Sequence, residues 1–355
     1  MTTYLLAGGG TAGHVNPLLA VADRIRDTEP DATILVLGTA EGLEARLVPA
    51  RGYELLTIAR LPFPRRPNAS AVTFLPRLRR TIAQITTLIA EREVDVVVGF
   101  GGYASAPAYL AAKRAGVPLV VHEANAKPGL ANRLGSRSAR AIGVAFAGTP
   151  LRNARLVGMP LRREIETLDR VAVRTQALAE FGLDAAKPLL LVTGGSLGAR
   201  RINRTIRQSA ERIVGAGWQV LHVQGGLAEL TDPGIEGYHL IDYCDRMDLA
   251  FAVTDLAVSR AGAATVSELS ALGIAAVYIP YPVGNGEQRF NAAGVVGAGG
   301  GILVDDVNFT PDFVEREVLA LLGDRAAVAA MGERAASVGM RDGTDRMVSL
   351  IHSVL

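Results

Sequence analysis

The sequence predicts two doubly wound α/β domains facing across a cleft, on three observations. Apolar runs of strand length alternate with helix-length amphipathic segments along all 355 residues. The strand runs are continuously apolar, as in parallel sheets covered on both faces. The pattern also restarts: strand Tyr4–Ala7 feeds a glycine loop, Gly8–Gly13, and strand Leu189–Thr193 feeds another, Gly194–Ala199.

In the first half, strands are expected at Tyr4–Ala7, Thr33–Gly38, Glu54–Ile58, Val94–Gly99 and Leu119–His122, with a helix at Pro17–Arg26. In the second they are expected at Leu189–Thr193, Gln219–Val223, Leu256–Ser259, Ala275–Ile279 and Ile302–Val304, with a helix at Ile202–Val214. Gly158-Met159-Pro160-Leu161-Arg162 suits a linker between domains 1–158 and 163–339, and residues 340–355 are expected to pack back on the first. Ligands of such sheets bind at the carboxyl ends of the strands.

Composition narrows the class. Hydrophobic residues at 49% and charged residues at 20% exclude a disordered, collagen-like or coiled-coil chain. The single cysteine, Cys244, excludes an intramolecular disulfide and Cys-rich metal sites, and points to a reducing cytosol. The longest uncharged stretches, Val96–Ala112 and Leu269–Gly286, are broken by glycine and proline, so no spanning helix is expected. The first residues lack a basic run, which argues against a signal peptide.

Charge is uneven. The total is +2, but residues 1–163 hold 21 Lys and Arg against 11 Asp and Glu, and the remainder 16 against 24. Residues 55–90 contain six arginines and no acid, and 124–163 contain eight cations and no acid. The first half therefore suits an anionic partner. Nucleic acid is disfavoured, because no aromatic residues are interleaved to stack bases.

The loop Gly8-Gly9-Gly10-Thr11-Ala12-Gly13 satisfies G-x-G-x-x-G between a strand and a helix, a setting where amides approach an anion. A dinucleotide site also needs an acid ending the second strand. That strand ends Leu37-Gly38-Thr39-Ala40 with Glu41 beyond it, which argues against NAD. A tight turn without a ligand uses the same glycines. His14 follows at the helix start, where the dipole disfavours imidazolium. A neutral general base fits there, as does a packing histidine. Gly194-Gly195-Ser196-Leu197-Gly198 fits a diphosphate cradle and also the G-x-S-x-G elbow of a hydrolase, with His222, His239 and His352 available. Two further polar clusters, Gly99-Phe100-Gly101-Gly102-Tyr103 and His122-Glu123-Ala124-Asn125, open at the same strand edge as His14. Metal motifs are absent and no cofactor is expected, so charge on a departing phosphate falls to amides, helix ends and arginine.

Six segments, in order and spacing, closely resemble the MurG family, the N-acetylglucosaminyltransferases of bacterial peptidoglycan synthesis. They are 9–17 (GGTAGHVNP), Gly101-Gly102-Tyr103, His122-Glu123-Ala124-Asn125, 194–200 (GGSLGAR), 260–268 (RAGAATVSE) and 287–292 (EQRFNA). The resemblance implies the GT-B fold of two Rossmann-like domains. It also implies an inverting transferase moving GlcNAc from UDP-GlcNAc to the 4-hydroxyl of MurNAc in undecaprenyl-diphospho-MurNAc-pentapeptide (lipid I), which gives lipid II and UDP. The enzyme would work on the cytoplasmic face of the membrane. The rival readings are a GT-B transferase with a different lipid or natural-product acceptor, and a non-catalytic binder of the nucleotide sugar.

On the acceptor side the resemblance implies Gly10, Thr11, Ala12 and Gly13 on the lipid diphosphate. His14, Tyr103, Glu123 and Asn125 would surround the attacking hydroxyl, with His14 first and Glu123 second as base. On the donor side, Glu268 would accept from both ribose hydroxyls, which suits a carboxylate with two acceptor oxygens. Ala263, Ala264 and Thr265 would hold the diphosphate with Ser196. Gln288 and Asn291 would hold the sugar, Cys244 beside Tyr243 would read the uracil, and Arg162 would steady the leaving UDP. Asn203 matches a polar family position, and Thr11, Gly13 and Asn125 are also expected to reach the donor. The chain departs from the family at Leu197, Ala124, Met159 and Glu287, which leaves the donor sugar contacts open to change. Phe63, Arg65, Arg66, Phe74, Leu75, Arg77, Leu78 and Arg79 combine apolar and cationic side chains, as a peripheral anionic-membrane surface does. A solvated arginine face is the commoner fate of such a run.

Overall fold

The computed structural model describes residues 1–62, 69–228 and 230–355, with the backbone alone for 69–72. The chain forms two compact units, residues 1–162 with 341–355, and residues 163–340.

The first unit is built on β1 (Thr3–Gly8), β2 (Thr33–Thr39), β3 (Glu54–Ile58), β4 (Val96–Gly101), β5 (Leu119–Glu123), β6 (Ala141–Val144) and β7 (Arg155–Leu156). They lie in the order β3-β2-β1-β4-β5-β6-β7, and every pairing is parallel. Its helices are α1 (Ala12–Thr28), α2 (Glu44–Ala50), α3 (Ala69–Glu91), α4 (Ser105–Ala115) and α5 (Leu130–Gly135), together with Gly343–His352. Side chains alternate across a strand, so each strand feeds two cores. Tyr4, Leu6, Val96, Val98 and Val120 pack with Leu18, Val21 and Ile25 of α1 and with Met347 and Ile351. Leu5, Ala7, Val97, Leu119 and Val121 pack with Ile85 and Ile89 of α3 and Ala108 of α4. The last helix is held tightly: a Cβ at Gly343 would lie 2.3 Å from the carbonyl oxygen of Met159.

The second unit carries β8 (Leu189–Thr193), β9 (Gln219–Val223), β10 (Tyr238–Ile241), β11 (Leu256–Ser259), β12 (Ala275–Tyr278) and β13 (Gly301–Leu303). Their order is β10-β9-β8-β11-β12-β13, again parallel throughout. Leu190, Val192, Val258 and Val277 pack under helix Arg200–Gly215 through Ile202, Ile206 and Ile213.

Three features differ from the sequence expectation. Helix α1 begins at Ala12, five residues before Pro17, because the Thr11 carbonyl already accepts from the amides of His14 and Val15. Strand β4 runs on to Gly101, so the third glycine cluster completes the strand instead of following it. The outer strands β6, β7 and β10 are short, and β7 is a two-residue edge with no buried face to impose a pattern. Among the described residues, no helix is long and apolar enough to cross a membrane.

Candidate active site

In the first unit a cavity of ≈ 650 Å³ opens at the carboxyl edge of β1, β4 and β5. Its lining includes Gly9, Gly10, Thr11, His14, Tyr103, Glu123 and Asn125 together with the apolar side chains of Leu61, Phe74, Leu78, Leu110, Leu130 and Leu134. Gly13 and Ala12 are not in its lining and stand at the start of α1.

Two glycine turns meet in this lining. Gly102 has φ +90, and a Cβ there would lie 2.3 Å from the Gly9 carbonyl oxygen, so only glycine lets the turn after β4 reach the loop after β1. His14 sits between them. Its Nδ1 lies 3.2 Å from Gly9 O and 3.3 Å from Thr11 Oγ1. A carbonyl oxygen only accepts, so Nδ1 carries the proton of the neutral ring and Nε2 is left with its lone pair. Burial holds His14 below the ordinary imidazole value, against the opposing pull of the Glu123 charge, the Gly9 bond and the Glu44 charge.

Glu123 is buried, and its carboxylate is already engaged. Oε1 accepts from the Asn125 amide at 2.9 Å. Oε2 accepts from the Gly129 amide at 3.0 Å and from Asn132 Nδ2 at 2.9 Å. Asn132 in turn accepts from the Tyr109 hydroxyl at 2.7 Å. The arrangement makes Glu123 the organiser of the turn that leads into α5. Tyr103 is exposed, with the Arg60 guanidinium stacked 4.6 Å from its ring centroid. Neighbouring His122 is fully buried, bonded through Nε2 to Gly158 O at 3.0 Å, and burial pushes its pKa down to about 4.

In the second unit a pocket of ≈ 140 Å³ is lined by Ser196, Cys244, Thr265 and Glu268 together with Thr193, Tyr243, Met247 and Phe251. Ser196 sits at the tip of the second glycine loop, whose carbonyl accepts from the Gly226 amide at 3.0 Å. Ala263, Ala264 and Thr265 form the first turn of helix Ala263–Ala271, and Glu268 lies one turn further along. Burial raises the Cys244 thiol to about 11, which keeps it neutral.

Asn203, Gln288 and Asn291 lie outside this pocket's lining. Buried Asn203 donates to Gln224 O at 2.8 Å and accepts from His222 Nε2 at 3.2 Å, which anchors helix Arg200–Gly215 to the end of β9. Gln288 Oε1 accepts from the Tyr281 amide at 2.9 Å. Buried Asn291 donates to Ala261 O at 3.3 Å and so braces the turn before helix Ala263–Ala271. Arg162 is half-buried at the end of the first unit's main segment. Of the four departures from the family, Leu197 is exposed, Glu287 half-buried, and Ala124 and Met159 buried.

The surface proposed for membranes divides. Phe63, Arg65 and Arg66 lie outside the described residues. Phe74 and Leu78 turn into the cavity, while Leu75, Arg77 and Arg79 are exposed.

Sequence reading missed Glu44, Asn132, Tyr109, Met247 and Phe251. Glu44 is the instructive case. It lies three residues past Glu41, is 1% exposed, and accepts from the Gly10 amide at 2.7 Å. Gly10 therefore has its amide engaged already. Among the described residues no group of three His, Cys, Asp or Glu could hold a metal ion.

The profile described as glycosyltransferase family 28 N-terminal domain matches residues 4–144, and that of its C-terminal domain matches 189–347. A relative from Leifsonia xyli subsp. xyli is 68% identical over 100% of this chain and 99% of its own. One from Streptomyces coelicolor is 52% identical over 99% of this chain and 98% of its own. Both are named UDP-N-acetylglucosamine–N-acetylmuramyl-(pentapeptide) pyrophosphoryl-undecaprenol N-acetylglucosamine transferase. The crystal structure of Acinetobacter baumannii MurG superposes with a TM-score of 0.82 at 26% identity, covering 99% of this chain and 100% of that one. With both profiles matched in order and relatives this similar along its whole length, the chain belongs to glycosyltransferase family 28 and has the GT-B fold.

Proposed function

We propose that this chain transfers GlcNAc from UDP-GlcNAc to the 4-hydroxyl of MurNAc in lipid I, giving lipid II and UDP, with inversion at the anomeric carbon. The observation that carries the chemistry is His14, bonded through Nδ1 and with no Nε2 partner among the described residues, in a cavity lined by both polar and apolar side chains. The names of the full-length relatives supply the two substrates.

In this reading the first unit takes the acceptor and the second the donor. The acceptor hydroxyl gives its proton to His14 Nε2 as its oxygen bonds to the anomeric carbon, and the bond from that carbon to UDP breaks. Tyr103 and Asn125 flank the hydroxyl. The start of α1, at Thr11, Ala12 and Gly13, offers amides to the lipid diphosphate, whereas the Gly10 amide is engaged by Glu44. Glu268 accepts from the ribose hydroxyls and Cys244 borders the uracil. Ser196 and the first turn of helix Ala263–Ala271 take the charge that develops on the leaving diphosphate. Gln288 is the candidate for the sugar hydroxyls, while Asn203 and Asn291 support the loops that make these contacts. Exposed Leu75, Arg77 and Arg79 hold the enzyme on the anionic cytoplasmic face of the membrane, where the acceptor is anchored.

UDP release from UDP-GlcNAc, measured with and without a short-chain lipid I analogue, tests the proposal. Acceptor-dependent release with GlcNAc on the analogue is the expected result. Binding of UDP-GlcNAc without transfer would overturn it in favour of a different acceptor or a silent binder.

A further inference from the structure

We propose that Glu44 is a positioning residue for this transfer, fixing the tautomer and aim of His14 through the single peptide unit that joins Gly9 to Gly10. The inference rests on the reading of His14 as the base.

The geometry is a three-part chain. The Gly10 amide donates to Glu44 Oε2 at 2.7 Å, and the carbonyl of that same peptide, Gly9 O, accepts from His14 Nδ1 at 3.2 Å. A carboxylate therefore sits at one end of a polarisable peptide, and the imidazole at the other. Negative charge at the N–H end increases the partial charge on the carbonyl oxygen, which strengthens the Nδ1–H bond as the ring becomes imidazolium. In a triad the carboxylate touches the imidazole directly; here a peptide lies between.

The sequence clears space for this carboxylate. A Cβ at Gly42 would lie 2.1 Å from Oε2, and one at Gly9 would lie 2.3 Å from Oε1. Thr39 completes the cradle, donating to Oε1 from its amide at 2.9 Å and from Oγ1 at 2.8 Å. Burial acts to raise the Glu44 pKa, but these amide and hydroxyl bonds outweigh it and hold the group below the usual carboxylate value, hence ionised. A buried carboxylate is costly to keep, and packing alone is met as well by an apolar side chain.

The groups that face His14 set the sign of its pH response. Glu44 approaches from α2 through the peptide, and Glu123 and neutral His122 from the end of β5. Tyr103 approaches from the turn after β4, with Arg60 stacked on it. The two carboxylates favour imidazolium, so removing one makes Nε2 a weaker base.

The test is Glu44→Gln, which keeps volume and removes charge. At pH 7 kcat should fall about tenfold or more, with KM for UDP-GlcNAc nearly unchanged. The acidic limb of kcat/KM should move to lower pH. Wild-type kcat with an unmoved limb would overturn the proposal. His14→Gln run in parallel separates the two levels. If His14→Gln retains kcat, the base reading falls and Glu44's role with it. If His14→Gln is inactive while Glu44→Gln behaves as wild type, Glu44's role alone falls. In the His14→Gln background Glu44→Gln should cost nothing more, and a further loss would mark a merely structural residue. Should Glu44→Gln fail to fold, 15N NMR of the wild-type histidines decides: His14 should be the Nδ1–H tautomer at neutral pH, and an Nε2–H tautomer would sink the idea.

Discussion

His14 and Glu123 lie in the same cavity, and their hydrogen bonds assign them different work. The Nδ1 of His14 is tied to Gly9 O and its Nε2 is left bare, whereas both oxygens of Glu123 are engaged by the turn at residues 125–132. His14→Ala should therefore lower kcat by about 10²–10⁴. UDP-GlcNAc affinity, read by calorimetry, should hardly move, because the contacts proposed for the uracil and ribose, Cys244 and Glu268, belong to the second unit. Glu123→Gln should instead lower the melting temperature along with kcat, since it unpairs buried donors. Equal melting temperatures for the two variants would contradict this division. Burial holds His14 below 6.5, so it stays neutral and active into mildly acidic solution. The acidic limb of kcat/KM should accordingly fall below the ordinary imidazole value and vanish in His14→Ala. At this scale the sequence showed which residue types stand near the first loop. It did not show Glu44, because a side chain that folds back on a glycine amide 34 residues away leaves no periodic signal.

The fully buried strands were legible as apolar runs, and the largely exposed β3 was read at its exact bounds as well, whereas the mostly buried β6 was not. The central strands β1, β2, β8, β9 and β11 read as unbroken apolar runs because each face packs on its own core, as Leu5 and Leu6 of β1 do. Strand β6 was hidden because it contains Gly143, whose missing side chain leaves room for Val157 and Met347. Two central-sheet strands each bury a histidine, His122 in β5 and His222 in β9, and burial pushes both down to about 4. His222 accepts from the Tyr238 hydroxyl at 2.5 Å and donates to Asn203, an arrangement that needs the neutral ring. An unfolded histidine titrates near 6.5, so the folded state binds fewer protons between the two values. The stability from each neutral ring is complete above 6.5 and is lost as pH falls from there towards 4. Each histidine should withdraw about 1.4 kcal/mol per pH unit over that window. Urea unfolding at pH 7, 6 and 5 checks this, and a flat midpoint would show that neither ring is held neutral.

Across the whole molecule, a net charge of +2 conceals a basic first half and an acidic second half. Only part of the basic excess can serve a flat surface. On α3, Phe74 and Leu78 turn into the cavity and Ile85 and Ile89 into the core, which leaves Leu75, Arg77, Arg79 and Arg80 outward. Among the described residues that face is cationic with little apolar area, so the bilayer contact proposed above would be chiefly electrostatic. Each cation near an anionic leaflet contributes about 1 kcal/mol, and screening removes most of this beyond a Debye length of about 8 Å at physiological salt. Three consequences follow in a vesicle sedimentation assay. Binding should require anionic lipid, it should weaken as salt rises, and Arg77→Ala with Arg79→Ala should reduce partitioning about 30-fold. The alternative is an anchor made by apolar insertion, and it reverses each result: vesicles of zwitterionic lipid would bind equally, salt would have no effect, and Leu75→Ser would be the damaging change. Equal binding to neutral and anionic vesicles would thus transfer the membrane role from the arginines to apolar side chains and leave the charge asymmetry without this use.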